Sequence, residues 1–256
     1  MCPYFELGVI KLPAYGCMIF LGIFLANIIA FYLSKKRKLC FDDLLLCEAY
    51  CGLGAFLGAK LLYIIVSFPY IEWNRITDLQ YFKEFIGAGF VFYGGLIGGI
   101  GALFLCGKMH KINIGLYAAN FAFLIPFGHT FGRIGCFLAG CCYGKPYAGI
   151  GAVIYPENSF AISGISLFPV QLVEAVLLFL ISVVVYAFQR KKGIRYNLEI
   201  YLVLYAIVRM ILEYFRYDDI RGNFLFFSTS QWISIVIVLG VIGKLIFEKN
   251  GKSRKK

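Results

Sequence analysis

The chain has 256 residues, of which 61% are hydrophobic and only 15% charged, against about 25% charged in a soluble domain. With a mean hydropathy of +0.79, this composition excludes a soluble globular enzyme and indicates a polytopic membrane protein. The net charge of +11 does not indicate nucleic acid, because the basic residues gather in short loops and at the C-terminus with few aromatics among them; charge so placed serves topology and contact with anionic lipid.

Apolar blocks of roughly 20 residues, the length that crosses a ~30 Å hydrocarbon core, predict seven transmembrane helices over 14–33, 44–67, 88–107, 114–131, 168–189, 197–216 and 229–247. The fold class expected is all-α and integral to the membrane: one domain over 1–247, then a basic cytoplasmic tail over 248–256 that is expected to be disordered. Glu6 and Lys11 precede the first block and no small-residue cleavage site follows it. The first helix is therefore expected to stay rather than be removed as a signal peptide.

Lys35, Lys36, Arg37 and Lys38 follow the first span, Lys108 and Lys111 the third, Arg190, Lys191, Lys192 and Arg195 the fifth, and Lys249, Lys252, Arg254, Lys255 and Lys256 the last. The opposite side holds Lys11, Arg75, Lys83, Arg133, Lys145 and Arg221. The positive-inside rule then places the N-terminus outside and the C-terminus in the cytoplasm. Segments 68–87 and 132–167 become the long extracytoplasmic parts, with 145–167 a cap or a substrate-facing arm. Within the spans, Gly54 and Gly58, Gly94 and Gly98, and Gly95 and Gly99 stand four apart, a spacing that lets helix backbones approach closely.

With that topology the polar residues fall in the outer leaflet, and the inner halves of the same spans look nearly featureless. Tyr15 lies at the outer end of span one, Tyr93 about a turn and a half inside span three, and His129 and Arg133 at the end of span four. Gln171 and Glu174 occupy the first two turns of span five, and Gln231 opens span seven. Arg209, Glu213 and Arg216 follow an i, i+4, i+7 spacing that would share one helical face. Two arginines and one glutamate leave an excess positive charge at membrane depth, which suits an anion such as a lipid phosphate. Glu213 neutralising Arg209 while Arg216 extends to the headgroups is the alternative.

The stretch from Phe127 to Gly144 departs from its surroundings. It follows an apolar run without continuing it as a clean helix and contains Gly128, Gly132, Gly135, Gly140 and Gly144. A glycine-rich turn around Gly132 and Gly135 would offer backbone N–H groups to the anion that Arg133 binds. His129 is a candidate proton acceptor near neutral pH. Of nine cysteines, only Cys136, Cys141 and Cys142 cluster in a polar context. A disulfide can form on the outer side, although a vicinal Cys141–Cys142 bond would be strained; a metal site shared with His129 is the lesser alternative, and no C-x-x-C pair of zinc-ribbon type is present.

Gly-Arg-Ile-Gly-Cys-Phe-Leu-Ala-Gly (132–140), followed by Gly144, resembles the signature Gly-Arg-hydrophobic-Gly-Asn-Phe-Ile-Asn-Gly-Glu of the prolipoprotein diacylglyceryl transferases. Phe-Tyr-Gly-Gly-Leu-Ile-Gly (92–98) is similar to that family's His-Gly-Gly-Leu-Ile-Gly. Phe-Pro-Val-Gln-Leu-Val-Glu-Ala (168–175) is similar to its His-Pro-Ser-Gln-Leu-Tyr-Glu-Ala. Arg-Met-Ile-Leu-Glu-Tyr-Phe-Arg (209–216) resembles its Arg-x-x-x-Glu-x-x-Arg segment. The blocks come in the family's order and span nearly the whole chain.

The resemblance implies a seven-helix enzyme of the bacterial cytoplasmic membrane. Such an enzyme moves the diacylglyceryl group of phosphatidylglycerol to the lipobox cysteine thiol of a prolipoprotein signal peptide, forming a thioether and releasing glycerol 1-phosphate. The partners implied are phosphatidylglycerol, signal peptides and membrane lipids; no metal or organic cofactor is implied. By the same resemblance Arg133 and Arg209 would bind the departing phosphate and Glu213 would orient them. Tyr15, Gly94, Gly135, Gly144, Gln171 and Arg216 would belong to the lipid site, and Tyr93 and His129 to the chemistry.

Departures from the pattern are Tyr93 for the histidine before Gly-Gly, Cys136 and Ala139 for the two asparagines, and Cys141 for the acidic residue. An unperturbed tyrosine titrates near 10, so Tyr93 is a poor base at neutral pH. Three readings stay open: the transferase, a divergent paralogue with another acceptor, and a lipid-binding or transport protein without chemistry.

Overall fold

The computed structural model describes residues 3–8, 10–75, 77–87, 89–217, 223–224 and 227–253. Cys2, Arg221 and the last three basic residues of the tail, 254–256, lie outside them. A hairpin of β1 (Tyr4–Leu7) and β2 (Ile10–Pro13) opens the chain and leads into α1 (Ala14–Arg37). Then come α2 (Phe41–Ser67), α3 (Leu79–Gly87), α4 (Phe92–His110), α5 (Ile114–Phe121) and α6 (Leu124–Ala139). A short antiparallel pair, β3 (Val153–Ile154) and β4 (Ser166–Leu167), precedes α7 (Val170–Lys192) and α8 (Asn197–Leu212). The pair β5 (Asn223–Phe224) and β6 (Phe227–Ser228) leads into α9 (Thr229–Ser253).

Among the described residues α1, α2, α4, α7 and α9 are long and apolar enough to cross a membrane, and α5 with α6 makes a sixth span if the bent pair crosses as one. The protein is thus a mainly helical membrane protein. The block read as span four is not one straight helix: α5 and α6 meet at 61°. Pro126 explains the break, since it brings no N–H and its ring collides with the carbonyl four residues back. The block read as span six is a 16-residue α-helix that tightens into a 3-10 turn over Glu213–Phe215. Helix α9 continues through Ser253, so the described part of the basic tail is helical rather than irregular.

Two compact units emerge, residues 33–117 and residues 1–32 with 118–256. In the first, α2 packs along α4 through glycine. A β-carbon added to Gly58 would collide with the Gly94 carbonyl oxygen, and one on Gly54 would collide with that of Gly98. The four-residue ladders therefore interlock backbone to backbone, as the spacing predicts. Asp42 and Asp43 in the first turn of α2 face the positive end of the helix dipole.

In the second unit α6, α7, α8 and α9 pack in succession. The buried positions of α7, namely Gln171, Glu174, Leu178, Ile181, Ser182, Val185 and Gln189, recur every three or four residues and make one continuous face. The bend between α5 and α6 frees backbone carbonyls, and polar side chains take them. Ser182 Oγ donates to the Phe123 carbonyl at 2.8 Å, Gln189 Nε2 to that of Asn120 at 3.0 Å, and Asn197 Nδ2 to that of Ala119 at 2.9 Å. The span halves that read as featureless therefore hold a second polar set, and its work is to satisfy broken backbone.

Candidate active site

Arg133 is carried by α6, Gln171 and Glu174 by α7, and Arg209 by the last turn of α8. Glu174 joins them. Its carboxylate, 1% exposed, lies 2.9 Å from Arg133 Nη2 and 3.9 Å from Arg209 Nη1. Arg209 Nη2 reaches Glu213 Oε2 at 2.8 Å and donates to Ser230 Oγ at 3.0 Å. Arg216 is buried and within electrostatic reach of Arg209. Arg133 and Arg209 thus share Glu174, and Glu213 adds a second carboxylate to Arg209.

The Arg133–Glu174 contact is close enough for an ion pair but is not an aligned hydrogen bond, and Arg133 Nε and Arg209 Nη1 donate no hydrogen bond to the described residues. Buried guanidinium donors without acceptors are costly, and a planar phosphate-binding fork is what arginine offers an oxyanion. The arrangement suits an oxyanion with several acceptor oxygens. Glu174 appeared in the sequence only as a polar residue at depth. The residue order Gln-x-x-Glu on an apolar helix is the signal for it, because Gln171 and Glu174, three apart, share a face.

Arg216 reaches this cluster by a different route from the one its spacing suggests. The helical face ends at Leu212, and Arg216 is in extended backbone at φ −83°, ψ 147°. It bridges Gly144 in antiparallel fashion. Around that bridge residues 143–147 run between two other segments: the Gly144 amide donates to the Phe168 carbonyl at 3.2 Å, Lys145 to Phe215 at 2.9 Å, and Tyr217 to Tyr143 at 3.2 Å. A β-carbon on Gly144 would collide with the Phe168 carbonyl oxygen and stand 2.9 Å from that of Phe215. Glycine is required here because carbonyls occupy both sides. Arg216 is 3% exposed, so it does not extend to headgroups.

Gly132 and Gly135 do not form a turn. Both lie inside α6, where backbone amides are committed to the helix, and the reversal comes later, at Gly140 with φ 78°. Gly135 instead lets α1 pass close: an added β-carbon would stand 3.1 Å from Tyr15 Cα. That places Tyr15, half-exposed, beside the Arg133 helix. His129, one turn before Arg133, packs edge-to-face against Tyr205 with centroids 5.4 Å apart. Gln171 is fully buried, donates to the Cys141 carbonyl at 2.9 Å and accepts from the Tyr155 hydroxyl at 3.3 Å. Burial raises the Tyr155 phenol to about 12. Tyr93 and Gly94 belong to the other unit. Tyr93 is the second residue of α4, not a turn and a half inside it, and Gly94 sits in the seam with Gly58.

Cys141 and Cys142 follow the Gly140 cap. Hydrogen bonds among Cys136, Cys141 and Cys142 lower the Cys142 thiol, with Arg216 and Arg133 adding to the effect, and raise that of Cys141.

The arginine–glutamate cluster narrows what the molecule can bind, and comparison with known proteins supplies its kin. A relative in Clostridium tetani, named phosphatidylglycerol–prolipoprotein diacylglyceryl transferase, is 37% identical over 246 residues, which is 95% of each chain. One in Clostridium perfringens, with the same name and the suffix 2, is 34% identical over 98% of this chain and 96% of its own. One in Campylobacter lari is 28% identical over 93% and 89%. The family described as prolipoprotein diacylglyceryl transferase matches residues 3–247, a stretch that includes every member of the cluster, and the chain belongs to that family.

Proposed function

We propose that the chain transfers the diacylglyceryl group of phosphatidylglycerol to the lipobox cysteine of prolipoproteins, forming a thioether and releasing glycerol 1-phosphate. The observation that carries this reading is the buried pair Arg133 and Arg209 held by Glu174 and Glu213, with Arg133 Nε and Arg209 Nη1 donating no hydrogen bond to the described residues. A phosphodiester offers the acceptor oxygens that such guanidinium donors take. As the carbon–oxygen bond to the glyceryl group breaks, negative charge grows on the phosphate, and fixed guanidinium groups stabilise that change more than the starting lipid.

Glu174 and Glu213 hold Arg133 and Arg209 in position before lipid arrives. Gln171 fixes the Cys141 turn, Gly144 sets the path of Arg216, and Tyr15 and Gly135 define where α1 meets the site. His129 is assigned to proton transfer; Tyr93 and Gly94 are assigned by the family segment they match. Residues 1–247 form one transferase domain, an assignment supported by the family match over 3–247. The chain crosses the bacterial cytoplasmic membrane seven times with its N-terminus outside. The basic clusters at the C-terminal ends of α1, α4, α7 and α9 support that orientation.

Membranes carrying the chain, given labelled phosphatidylglycerol and a lipobox peptide, are expected to yield thioether-linked peptide. Arg133→Ala is expected to lower that rate by about 10²–10³-fold, the scale of losing one transition-state donor. Full activity in Arg133→Ala would overturn the phosphate assignment. Tyr93, Cys136, Ala139 and Cys141, where the family pattern has other residues, favour a second reading with a changed acceptor. Release of glycerol phosphate without peptide labelling would select it.

A further inference from the structure

Three thiols converge beside the arginine cluster, and no role assigned above uses them. Cys136 sits in the last turn of α6. Gly140 and Cys142 both have left-handed backbone, at φ 78° and φ 59°, and these two reversals curl the chain back over the helix end. The sulfur atoms of Cys136, Cys141 and Cys142 consequently all lie within 4.8 Å of one another. Cys142 bears a β-carbon in a conformation that disfavours one, at about 1–2 kcal/mol, so the surroundings must impose it.

They do so with named contacts. The amides of Gly140 and Cys141 donate to the Cys136 carbonyl at 2.9 and 3.1 Å. Gln171 holds the Cys141 carbonyl, and Tyr155 holds Gln171. A β-carbon on Gly140 would stand 2.8 Å from that of Ser159. The turn is therefore fixed from three sides, a supporting shell of the kind that orients metal ligands.

We propose that Cys136, Cys141 and Cys142 form a site for one soft divalent cation, zinc, with its fourth position left for a further ligand. Zinc–sulfur bonds of about 2.3 Å put tetrahedral thiolates about 3.8 Å apart, so closing on the ion moves each sulfur pair by no more than about 1 Å. Thiolates select zinc over magnesium or calcium, which need oxygen ligands. Zinc with three thiolates has a net charge of −1, and Arg133 and Arg216 are both within electrostatic reach of Cys142. Three protein ligands plus an open position is the arrangement of zinc that acts on a substrate.

On the transferase reading, on which this last step rests, the ligand class that fits the open position is the acceptor peptide's own thiol. Its proton passes to solvent and the thiolate stays on zinc. It then attacks the glyceryl carbon while the carbon–oxygen bond gives its electron pair to the phosphate; no oxidation state changes.

The test uses the full chain, reduced and in detergent, titrated with zinc against a chromophoric chelator and with cobalt as a spectroscopic stand-in. One equivalent should bind, with a sulfur-to-cobalt charge-transfer band. Cys141→Ser and Cys142→Ser should each weaken zinc by more than about tenfold. Zinc should also shield the three wild-type thiols from maleimide, read by mass spectrometry, which keeps the test valid if either variant fails to fold. A lipobox peptide should shift the cobalt spectrum, and the same peptide with serine for cysteine should not.

Absence of stoichiometric binding, binding indifferent to both serine variants, or a disulfide found among the three after anaerobic purification would overturn the site. Cobalt bound but blind to the peptide, with transfer proceeding in metal-free protein, would overturn the fourth-position role and leave the transferase reading intact. Metal bound with no transfer under any condition would overturn that reading and leave the site.

Discussion

In residues 33–117 the two principal helices meet through bare backbone; in α6 to α9 the helices meet through charge. Along α2 and α4 the closest approaches are glycine against carbonyl oxygen, and Ser34 is the one buried polar side chain among the described residues of that unit. Along α6, α7 and α8 the interior holds Thr130, Gln171, Glu174, Ser182, Gln189, Asn197, Glu199 and Arg209, and Arg216 is buried just beyond α8. Both regions draw on the same apolar composition. In lipid no hydrophobic force drives helices together, so close packing suffices for association. Buried charge in the second region is therefore surplus to assembly, and its cost calls for a function. The contrast separates the α2–α4 seam, a wall except for Tyr93 and Gly94 at the start of α4, from the charged site without any ligand being present.

Breaking the charge network should produce the largest change after loss of Arg133 itself. Glu174→Gln keeps the shape but leaves Arg133 and Arg209 without their shared counter-charge. Unfolding in detergent should show about 3–5 kcal/mol lost, together with loss of transfer. Gly144→Ala tests the positioning of Arg216. The new methyl group collides with the Phe168 carbonyl, and a displacement of about 1 Å at a charge-binding residue costs about 10²-fold in rate. Stability should fall less than it does in Glu174→Gln, a split read by assaying folded protein only.

Gly54→Val attacks the wall instead. Its side chain meets Ala102 and the Gly98 carbonyl, so stability should drop by about 1–3 kcal/mol while binding of a phosphatidylglycerol analogue below the transition stays as in the parent. Ser182→Ala removes a buried hydrogen bond to the Phe123 carbonyl, a loss of about 1 kcal/mol with transfer unchanged. Were Gly54→Val to abolish lipid binding, or Ser182→Ala to abolish transfer, the division into wall and site would fail.

Much of this was readable in residue order. Arg133, Arg209 and Glu213 announce themselves as charges inside apolar blocks, and the glycine ladders announce a close helix pair. What could not be read follows from backbone. Pro126 marks a break, but the 61° bend and the carbonyls it frees are known only once Ser182, Gln189 and Asn197 are seen to take them. The i, i+7 spacing of Arg209 and Arg216 presumes an α-helix that the chain abandons at Leu212. Glycines at 132 and 135 look like a loop because glycine lowers helix propensity, yet the helix survives through Ala139 because Gly135 is wanted for its size. The convergence of the three thiols depends on two left-handed residues, one of them not glycine, which no propensity foretells.

The sharing of Glu174 also bears on how the polypeptide enters the bilayer during synthesis. Helix α8 arrives with Arg209 and Glu213 already paired one turn apart, so its charge is neutralised within a single hydrophobic segment. Arg133 has no such companion on its own helix; its partner is emitted forty-one residues later, on α7. Until then α6 is an apolar segment with a guanidinium that has no carboxylate on its own helix, a cost of about 2.5–3.5 kcal/mol at mid-membrane. A chain stopped between the two helices is therefore expected to lodge less completely than one stopped after α7, read by protease protection of the truncated chains.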